Sequence, residues 1–223
     1  MLCGACNAWM QVWDSWQSFL CYDCRDKLDD LALREYQESC VLACPRLVLY
    51  SYQDEVRRLI LEAKSGCSWI TFHYLLQLWQ TEPALWFMAQ EVDAIVPAPS
   101  SAWSRLRGRF DLASALAQLL AKNCGKPLRF APFRWHWQWQ KQALRSGKRR
   151  RHAMTKVDAA YASKKPDFLQ GPKLLLVDDV WTSGQTMKRL MQAFPGCDFQ
   201  IAVLAYAGSR DTKKLPDDAE GKE

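Results

Sequence analysis

Several familiar segments and motifs are absent from this chain of 223 residues. It contains no run of about 18 apolar residues and does not open with a basic segment followed by an apolar one. We therefore expect no membrane insertion, no signal peptide and a cytoplasmic location. The pattern G-x-x-x-x-G-K-S/T is also missing, which argues against a P-loop nucleotide hydrolase. Histidine is scarce, with three residues, and we predict no histidine-based catalysis.

Charge is distributed unevenly along the chain. The formal net charge is +6, yet residues 1–62 carry ten acidic and six basic side chains, so the positive excess lies beyond residue 62. The N-terminal part is therefore a poor partner for nucleic acid and better suited to protein docking. The length fits one α/β domain with a small appendage, and a hydrophobic content of 49% is sufficient for a core.

Cysteines near the N-terminus have the spacing of a zinc site. Two C-x2-C pairs are separated by 14 residues, and they consist of Cys3, Cys6, Cys21 and Cys24. Paired thiolates at this spacing converge on one tetrahedral ion, and four of them leave no open position for hydrolysis, so the predicted zinc is structural. The alternative is redox-active or buried thiols. Cys40 and Cys44 form a looser pair, for which buried thiols are favoured over zinc.

Apolar periodicity predicts strands that alternate with helices. The predicted helices cover residues 26–38, 54–64, 69–80, 83–90, 111–122 and 185–194, and the predicted strands cover residues 92–96, 130–140, 174–177 and 199–207. This alternation is typical of a parallel α/β sheet with right-handed crossovers. We divide the chain into a four-cysteine zinc module over 1–45, an α/β domain over 46–208 and a polar tail over 209–223, which we expect to be disordered.

Residues 174–186 carry the most specific pattern for function. An apolar strand over 174–177 leads into Asp178 and Asp179 and then into a turn rich in hydroxyl groups. In parallel sheets, ligands bind beyond the carboxyl ends of the strands, where a turn at a helix N-terminus offers amide groups to a phosphate. Carboxylates suit sugar hydroxyls or a hard cation. The pattern favours a phosphosugar site over an ordinary strand-to-helix turn with a solvated acid pair.

This stretch resembles the phosphoribosyltransferase signature, in which apolar residues, two acids and a Thr/Ser/Gly loop bind phosphoribosyl pyrophosphate. The resemblance implies that Asp178 and Asp179 contact the ribose hydroxyls, directly or through Mg²⁺. It also implies that five residues wrap the 5′-phosphate, namely Thr182, Ser183, Gly184, Gln185 and Thr186. The domain over 46–208 is accordingly expected to be phosphoribosyltransferase-like.

Together with the cysteine pairs, this motif makes the chain resemble the competence protein F (ComF) family, including the GntX proteins. Val96-Pro-Ala-Pro followed by Arg105, Arg107 and Phe110 is similar to the family's V-P-x-P…R-x-R-G-F segment, and residues 142–150 are similar to its basic segment. The resemblance implies a role in natural transformation, in which single-stranded DNA is handled with helicase or strand-loading partners. The alternative is an active Mg²⁺-dependent phosphoribosyltransferase in nucleotide metabolism.

A basic segment precedes the acid pair in the sequence. Residues 141–156 include seven cationic side chains and no acid. This segment resembles the loop that closes over pyrophosphate in phosphoribosyltransferases, but it can equally bind a nucleic-acid backbone or remain solvated. Trp135, Trp137 and Trp139 lie upstream, and we favour core packing for them over a base-stacking face. The cations assigned to pyrophosphate or nucleic acid are Lys141, Arg145, Lys148, Arg149, Arg150 and Arg151.

Overall fold

A computed structural model describes residues 3, 5–6, 8, 19–38, 42–65, 68–99, 110–131 and 171–208. Its helices are α1 (Tyr22–Asp30), α2 (Asp54–Ser65), α3 (Trp69–Gln80), α4 (Pro83–Gln90), α5 (Leu112–Cys124) and α6 (Gln185–Ala193). Its strands are β1 (Ala32–Gln37), β2 (Arg46–Ser51), β3 (Ala94–Pro97), β4 (Lys173–Trp181) and β5 (Asp198–Tyr206). Within these ranges, no helix has the length and apolar content needed to cross a bilayer.

The strands form one mixed sheet in the order β1-β2-β5-β4-β3. Strands β2, β5, β4 and β3 run parallel to one another, and β1 pairs antiparallel with β2 at one edge. Residues 174–177 of β4 are fully buried, as expected for a strand with neighbours on both sides and cover on both faces. The predicted α/β class with a parallel sheet is confirmed.

Each face of the sheet is covered by different helices. Because successive residues of a strand point to opposite sides, β4 contributes to two hydrophobic clusters. Leu175 and Val177 belong to the cluster that contains the apolar residues of α2, α3, α4 and α5. Leu174 and Leu176 belong to the second cluster, which includes Met187 and other residues of α6. Helices α2 and α6 therefore lie on opposite faces of the sheet.

Several helices begin and end where their sequences supply capping groups. Ser68 precedes α3, and its hydroxyl oxygen accepts a hydrogen bond of 3.1 Å from the Thr71 amide. Asp111 caps α5 in the same way through the Ser114 amide, at 3.1 Å. Helix α5 ends at Cys124 and is followed by Gly125, whose φ of +64° is the left-handed conformation that glycine adopts without strain. These caps explain why the predicted helices over 69–80 and 111–122 closely match the observed ones.

The helix predicted over residues 26–38 is wrong in its second half. Helix α1 ends at Asp30, and the chain then forms the edge strand β1 against β2. The register shifts between Ala32 and Glu35, and Arg34 has a φ of +46°, which marks a bulge in the strand. Pairing with β2 outweighs the local helical pattern, because strand formation depends on a partner distant in sequence. Residues within the predicted zinc module thus extend the sheet.

Candidate functional site

The acid pair lies at the carboxyl end of β4, inside the strand. Because β4 extends to Trp181, Asp178 and Asp179 continue the strand and do not follow it. Asp178 is aligned with Val203 of β5, and Asp179 is only 8% exposed. Both carboxyl groups are therefore near the edge at which parallel α/β sheets bind ligands.

The two carboxyl groups face different sides of the sheet. Asp178 lines a cleft together with Met187 of α6, whereas Asp179 forms an ion pair with Lys64 of α2. Adjacent residues of a strand project to opposite faces, so the two acids do not approach a ligand from the same side. A ligand that contacts both must lie across the end of β4.

Lys64 is a member of this site that the sequence did not indicate. Its Nζ lies 2.7 Å from Oδ1 and 2.7 Å from Oδ2 of Asp179. In the sequence, Lys64 is simply a cation in the last turn of an amphipathic helix, where it also complements the helix dipole. The two partners are 115 positions apart, and no local pattern reports a contact over that separation.

The pKa of the Asp178 carboxyl group is raised above its ordinary value. Burial and, to a smaller extent, the negative charge of Asp179 raise the pKa of Asp178 to about 8, although the Asp179 amide and Lys64 act in the opposite direction. That amide donates a hydrogen bond of 2.9 Å to Oδ1 of Asp178. The raised pKa increases the share of the uncharged carboxyl group near neutral pH, and such a group can both donate hydrogen bonds to hydroxyl groups and accept them.

The turn after β4 leads into α6 without a side-chain cap among the described residues. Gly184 occupies the N-cap position with φ +68° and ψ 1°. The first turn of α6 contains no acidic residue, so the amide groups of Gln185 and Thr186 are available to an anion, as the positive end of the helix dipole also favours. Thr182 and Ser183 are exposed, and Thr186 is partly buried. The turn can therefore present both amides and hydroxyl groups.

A shallow cleft connects Asp178 with this turn. It is small and open to solvent on one side. The residues that line it are Asp178, Val180, Trp181, Thr182, Gly184, Thr186 and Met187. One carboxyl group, two threonine hydroxyls and the start of a helix thus share a small polar surface, which suits a ligand that carries both hydroxyl and phosphate groups.

Trp181 supports the turn through its indole ring. A Cβ atom placed on Gly184 would lie 2.8 Å from Cζ2 of Trp181, so the ring and the glycine backbone are in close contact. The guanidinium of buried Arg46 lies 5.0 Å from the Trp181 ring and 5.6 Å from the Tyr206 ring. Its Nη2 donates a hydrogen bond of 2.7 Å to Gln37. This stack restricts the ring, since a desolvated cation–π contact stabilises by about 2 kcal/mol.

The acid pair does not fit a magnesium ion bound directly by both carboxylates. Lys64 Nζ lies between the two oxygens of Asp179, at the position where a cation would bind. Mg²⁺ requires a near-octahedral shell of oxygen ligands, and an ammonium group in that position excludes a second cation from Asp179.

The four N-terminal cysteines form a compact cluster. The Sγ atoms of Cys3, Cys6, Cys21 and Cys24 all lie within 4.8 Å of one another. A tetrahedral zinc ion with Zn–S bonds of about 2.3 Å places its sulfur atoms about 3.8 Å apart, and the distance from Cys6 to Cys21 is 3.7 Å. The cluster has the geometry to hold a metal ion, as the sequence predicted.

Thiol acidity within the cluster is uneven. Burial alone would raise the pKa of Cys3, but the amides of Cys21, Cys6 and Ala5 outweigh it and lower that pKa to about 7. The Cys21 and Ala5 amides donate hydrogen bonds of 3.3 Å and 3.5 Å to Sγ of Cys3. Burial and the neighbouring thiols raise the pKa of Cys24. Four thiolates side by side need a cation to offset their mutual repulsion, which favours metal binding.

The cysteine cluster contacts α2, the helix that carries Lys64. Nη1 of Arg58 donates a hydrogen bond of 2.8 Å to the Ala5 carbonyl oxygen, within the first cysteine loop. Lys27 of α1 lies 3.5 Å from the buried carboxylate of Glu55. Both contacts join the N-terminal module to α2, so the cluster helps to position one end of the acid-pair site.

Other predicted functional residues lie outside the described part of the chain. These include the basic segment 141–156 with its six assigned cations, the three tryptophans at 135, 137 and 139, and Cys40. Cys44 is described and buried, as expected for an apolar thiol. The strand predicted over 130–140 also falls largely outside, although Leu128 forms an isolated parallel bridge with Ile95.

Comparisons with known proteins give only distant likenesses. No protein-family model matches the chain, and no curated protein matches it. Among solved structures, the chain is similar to orotate phosphoribosyltransferase from Aeropyrum pernix, with 16% identity, a TM-score of 0.37 and coverage of 81% of this chain and 78% of that one. It is also similar to UMP synthase from Leishmania donovani, with 14% identity, a TM-score of 0.33 and coverage of 82% of this chain and 31% of that one. Likenesses at this level do not establish a family or an activity.

Proposed function

We propose that the chain binds a phosphorylated sugar at the junction of β4 and α6. The observation that carries the proposal is the shared cleft, in which Asp178 and Thr186 line one surface at the start of an uncapped helix. A helix N-terminus favours an anion, and a carboxyl group suits the hydroxyls of a sugar. A sugar phosphate carries both features within a short distance.

The parts of such a ligand fit different parts of the site. The 5′-phosphate would bind the amides of residues 184–186 together with the hydroxyls of Thr182 and Thr186. The ribose hydroxyls would lie toward Asp178, with Asp179 across the end of β4. For phosphoribosyl pyrophosphate, the ligand of the resemblance, Mg²⁺ would be bound through the oxygens of the ligand and would neutralise its pyrophosphate. In a transfer reaction the protein would supply orientation and charge stabilisation.

The cellular role that we propose is DNA handling during natural transformation, in the cytoplasm. It is supported by the sequence resemblance to the ComF family and by the basic segment 141–156, which suits single-stranded DNA. Helicase or strand-loading proteins are the partners that this role implies. The alternative is phosphoribosyl transfer in nucleotide metabolism, for which the same cleft would serve. In both cases the four cysteines would bind a structural zinc ion.

Ligand-dependent thermal unfolding in buffer with Mg²⁺ tests the phosphosugar proposal. Ribose 5-phosphate or phosphoribosyl pyrophosphate at about 100 times its Kd should stabilise the protein by about 2.7 kcal/mol, and for a protein of this size each kcal/mol raises the Tm by roughly 2–4 °C. Ribose alone and inorganic phosphate alone should act much more weakly, because each fills only half of the cleft.

The variant Asp178→Ala should abolish the shift, because it removes both the donor and the acceptor that the carboxyl group offers to the sugar hydroxyls. Asp198→Ala provides a matched control, because Asp198 is an exposed acid at the opposite end of β5. Absence of any shift with the wild type, or an equal shift in Asp178→Ala, would show that the cleft is not a phosphosugar site.

A further inference from the structure

The ion pair between Lys64 and Asp179 joins a lysine side chain that is 41% exposed to a largely buried carboxylate. Lys64 Nζ is equidistant from both oxygens of Asp179, at 2.7 Å, and the Asp179 side chain is 12% exposed. An exposed pair between mobile side chains contributes little, but here the carboxylate belongs to a central strand of the sheet. Removing the lysine would leave a largely buried charge without its partner.

Helix α2 holds Lys64 in position from several directions. Its inner side is packed through Val56, Leu59, Ile60 and Ala63, all buried in the core. Near its start, Arg58 contacts Ala5 and Glu55 contacts Lys27, both in the N-terminal module. The lysine therefore extends from the end of an anchored helix, and only its side-chain torsions are free.

We propose that Lys64 is a positioning residue of the phosphosugar site and takes the place of a metal ion on Asp179. Its ammonium group occupies the position in which a divalent cation would bind, and it keeps the Asp179 carboxylate oriented across the end of β4. The site then accepts a sugar monophosphate without a metal ion on the acid pair. This inference rests on the proposed phosphosugar function.

Calorimetric titration with ribose 5-phosphate tests the proposal on the zinc-loaded protein. Divalent ions are removed from the buffer beforehand, and chelators are omitted because they would strip the cysteine cluster. The wild type should bind with the same Kd, within about twofold, with and without Mg²⁺. Lys64→Met should weaken binding at least about tenfold without Mg²⁺, and added Mg²⁺ should restore it, because Asp179 is then free to bind the metal.

Two further variants separate positioning from a general effect of charge. Lys64→Arg should bind ribose 5-phosphate without Mg²⁺ nearly as well as the wild type, because a guanidinium also pairs with a carboxylate. Lys122→Met is the matched control, since Lys122 is likewise a lysine in the last turn of a helix but is exposed on α5. If Lys64→Met melts below the assay temperature, Lys64→Gln carries the same comparison.

Binding of Mn²⁺ in the absence of sugar, measured by electron paramagnetic resonance, tests the role of Lys64 independently of the phosphosugar function. The wild type should bind no Mn²⁺ at the acid pair, Lys64→Met should gain one site, and Lys64→Met combined with Asp179→Asn should lose it. Mn²⁺ bound by the wild type at Asp179, or an unchanged Lys64→Met in both assays, overturns the proposal. If no variant binds ribose 5-phosphate while the manganese pattern holds, the phosphosugar function fails and the metal-replacing role of Lys64 stands.

Discussion

Replacement of Gly184 by alanine should disturb both stability and ligand binding, for two separable reasons. Gly184 has a φ of +68°, a conformation that costs a residue with a Cβ atom about 1–2 kcal/mol. The added Cβ would also lie 2.8 Å from Cζ2 and 3.3 Å from Cε2 of Trp181. That ring cannot easily retreat, because it is 7% exposed and stacked on Arg46. Overpacking of this kind adds a further cost of about 1–3 kcal/mol.

A second glycine provides the control for the backbone term. Gly125 has a similar φ of +64°, yet a Cβ atom there meets nothing within 4 Å. Gly125→Ala should therefore lose about 1–2 kcal/mol of unfolding free energy from backbone strain alone. Gly184→Ala should lose about 1–3 kcal/mol more than that, and the excess measures the contact with Trp181.

Urea denaturation of the zinc-loaded protein measures both losses, provided that the slope m is unchanged. In a Trp181→Phe background, whose smaller ring lacks Cζ2, the excess loss of Gly184→Ala should shrink, and the difference gives the coupling energy. Gly184→Ala should also weaken binding of ribose 5-phosphate, because the turn that presents the amides must move. Equal destabilisation by the two alanine variants, with unchanged binding, would refute the idea that Trp181 fixes this turn.

Two further predictions concern the zinc module and DNA. Zinc content should be close to one ion per chain. Cys3→Ser and Cys21→Ser should lose the metal, with a decrease in unfolding free energy on the order of several kcal/mol, whereas Cys124→Ser should retain it. A folded, metal-free wild type would contradict this prediction. Affinity for single-stranded DNA should fall steeply with salt, and alanine at residues 149–151 should reduce the slope of log K against log salt by about 2. An unchanged slope would exclude that segment.

Much of the fold followed from patterns of consecutive residues. The helices over 69–80 and 83–90 were predicted with the bounds that the structure has, because capping groups and apolar spacing are both local. Strand β4 was predicted from its continuous apolar run. The wrong helix over 26–38 and the omission of β2 share one cause. Strand β1 is stabilised by pairing with β2, and β2 by pairing with β1 and β5, which are contacts that no local pattern indicates.

The sequence by itself determined the elements of the site: a buried strand, two adjacent acids, a glycine turn and the start of a helix, together with two cysteine pairs spaced for one ion. Only the tertiary structure decided how these elements face one another. It directed Asp178 and Asp179 to different sides of the sheet, brought Lys64 to Asp179, and placed Arg46 against Trp181. The physical reason is that side-chain type and short spacing are local properties, whereas contacts across 115 positions depend on how the whole sheet and its helices pack.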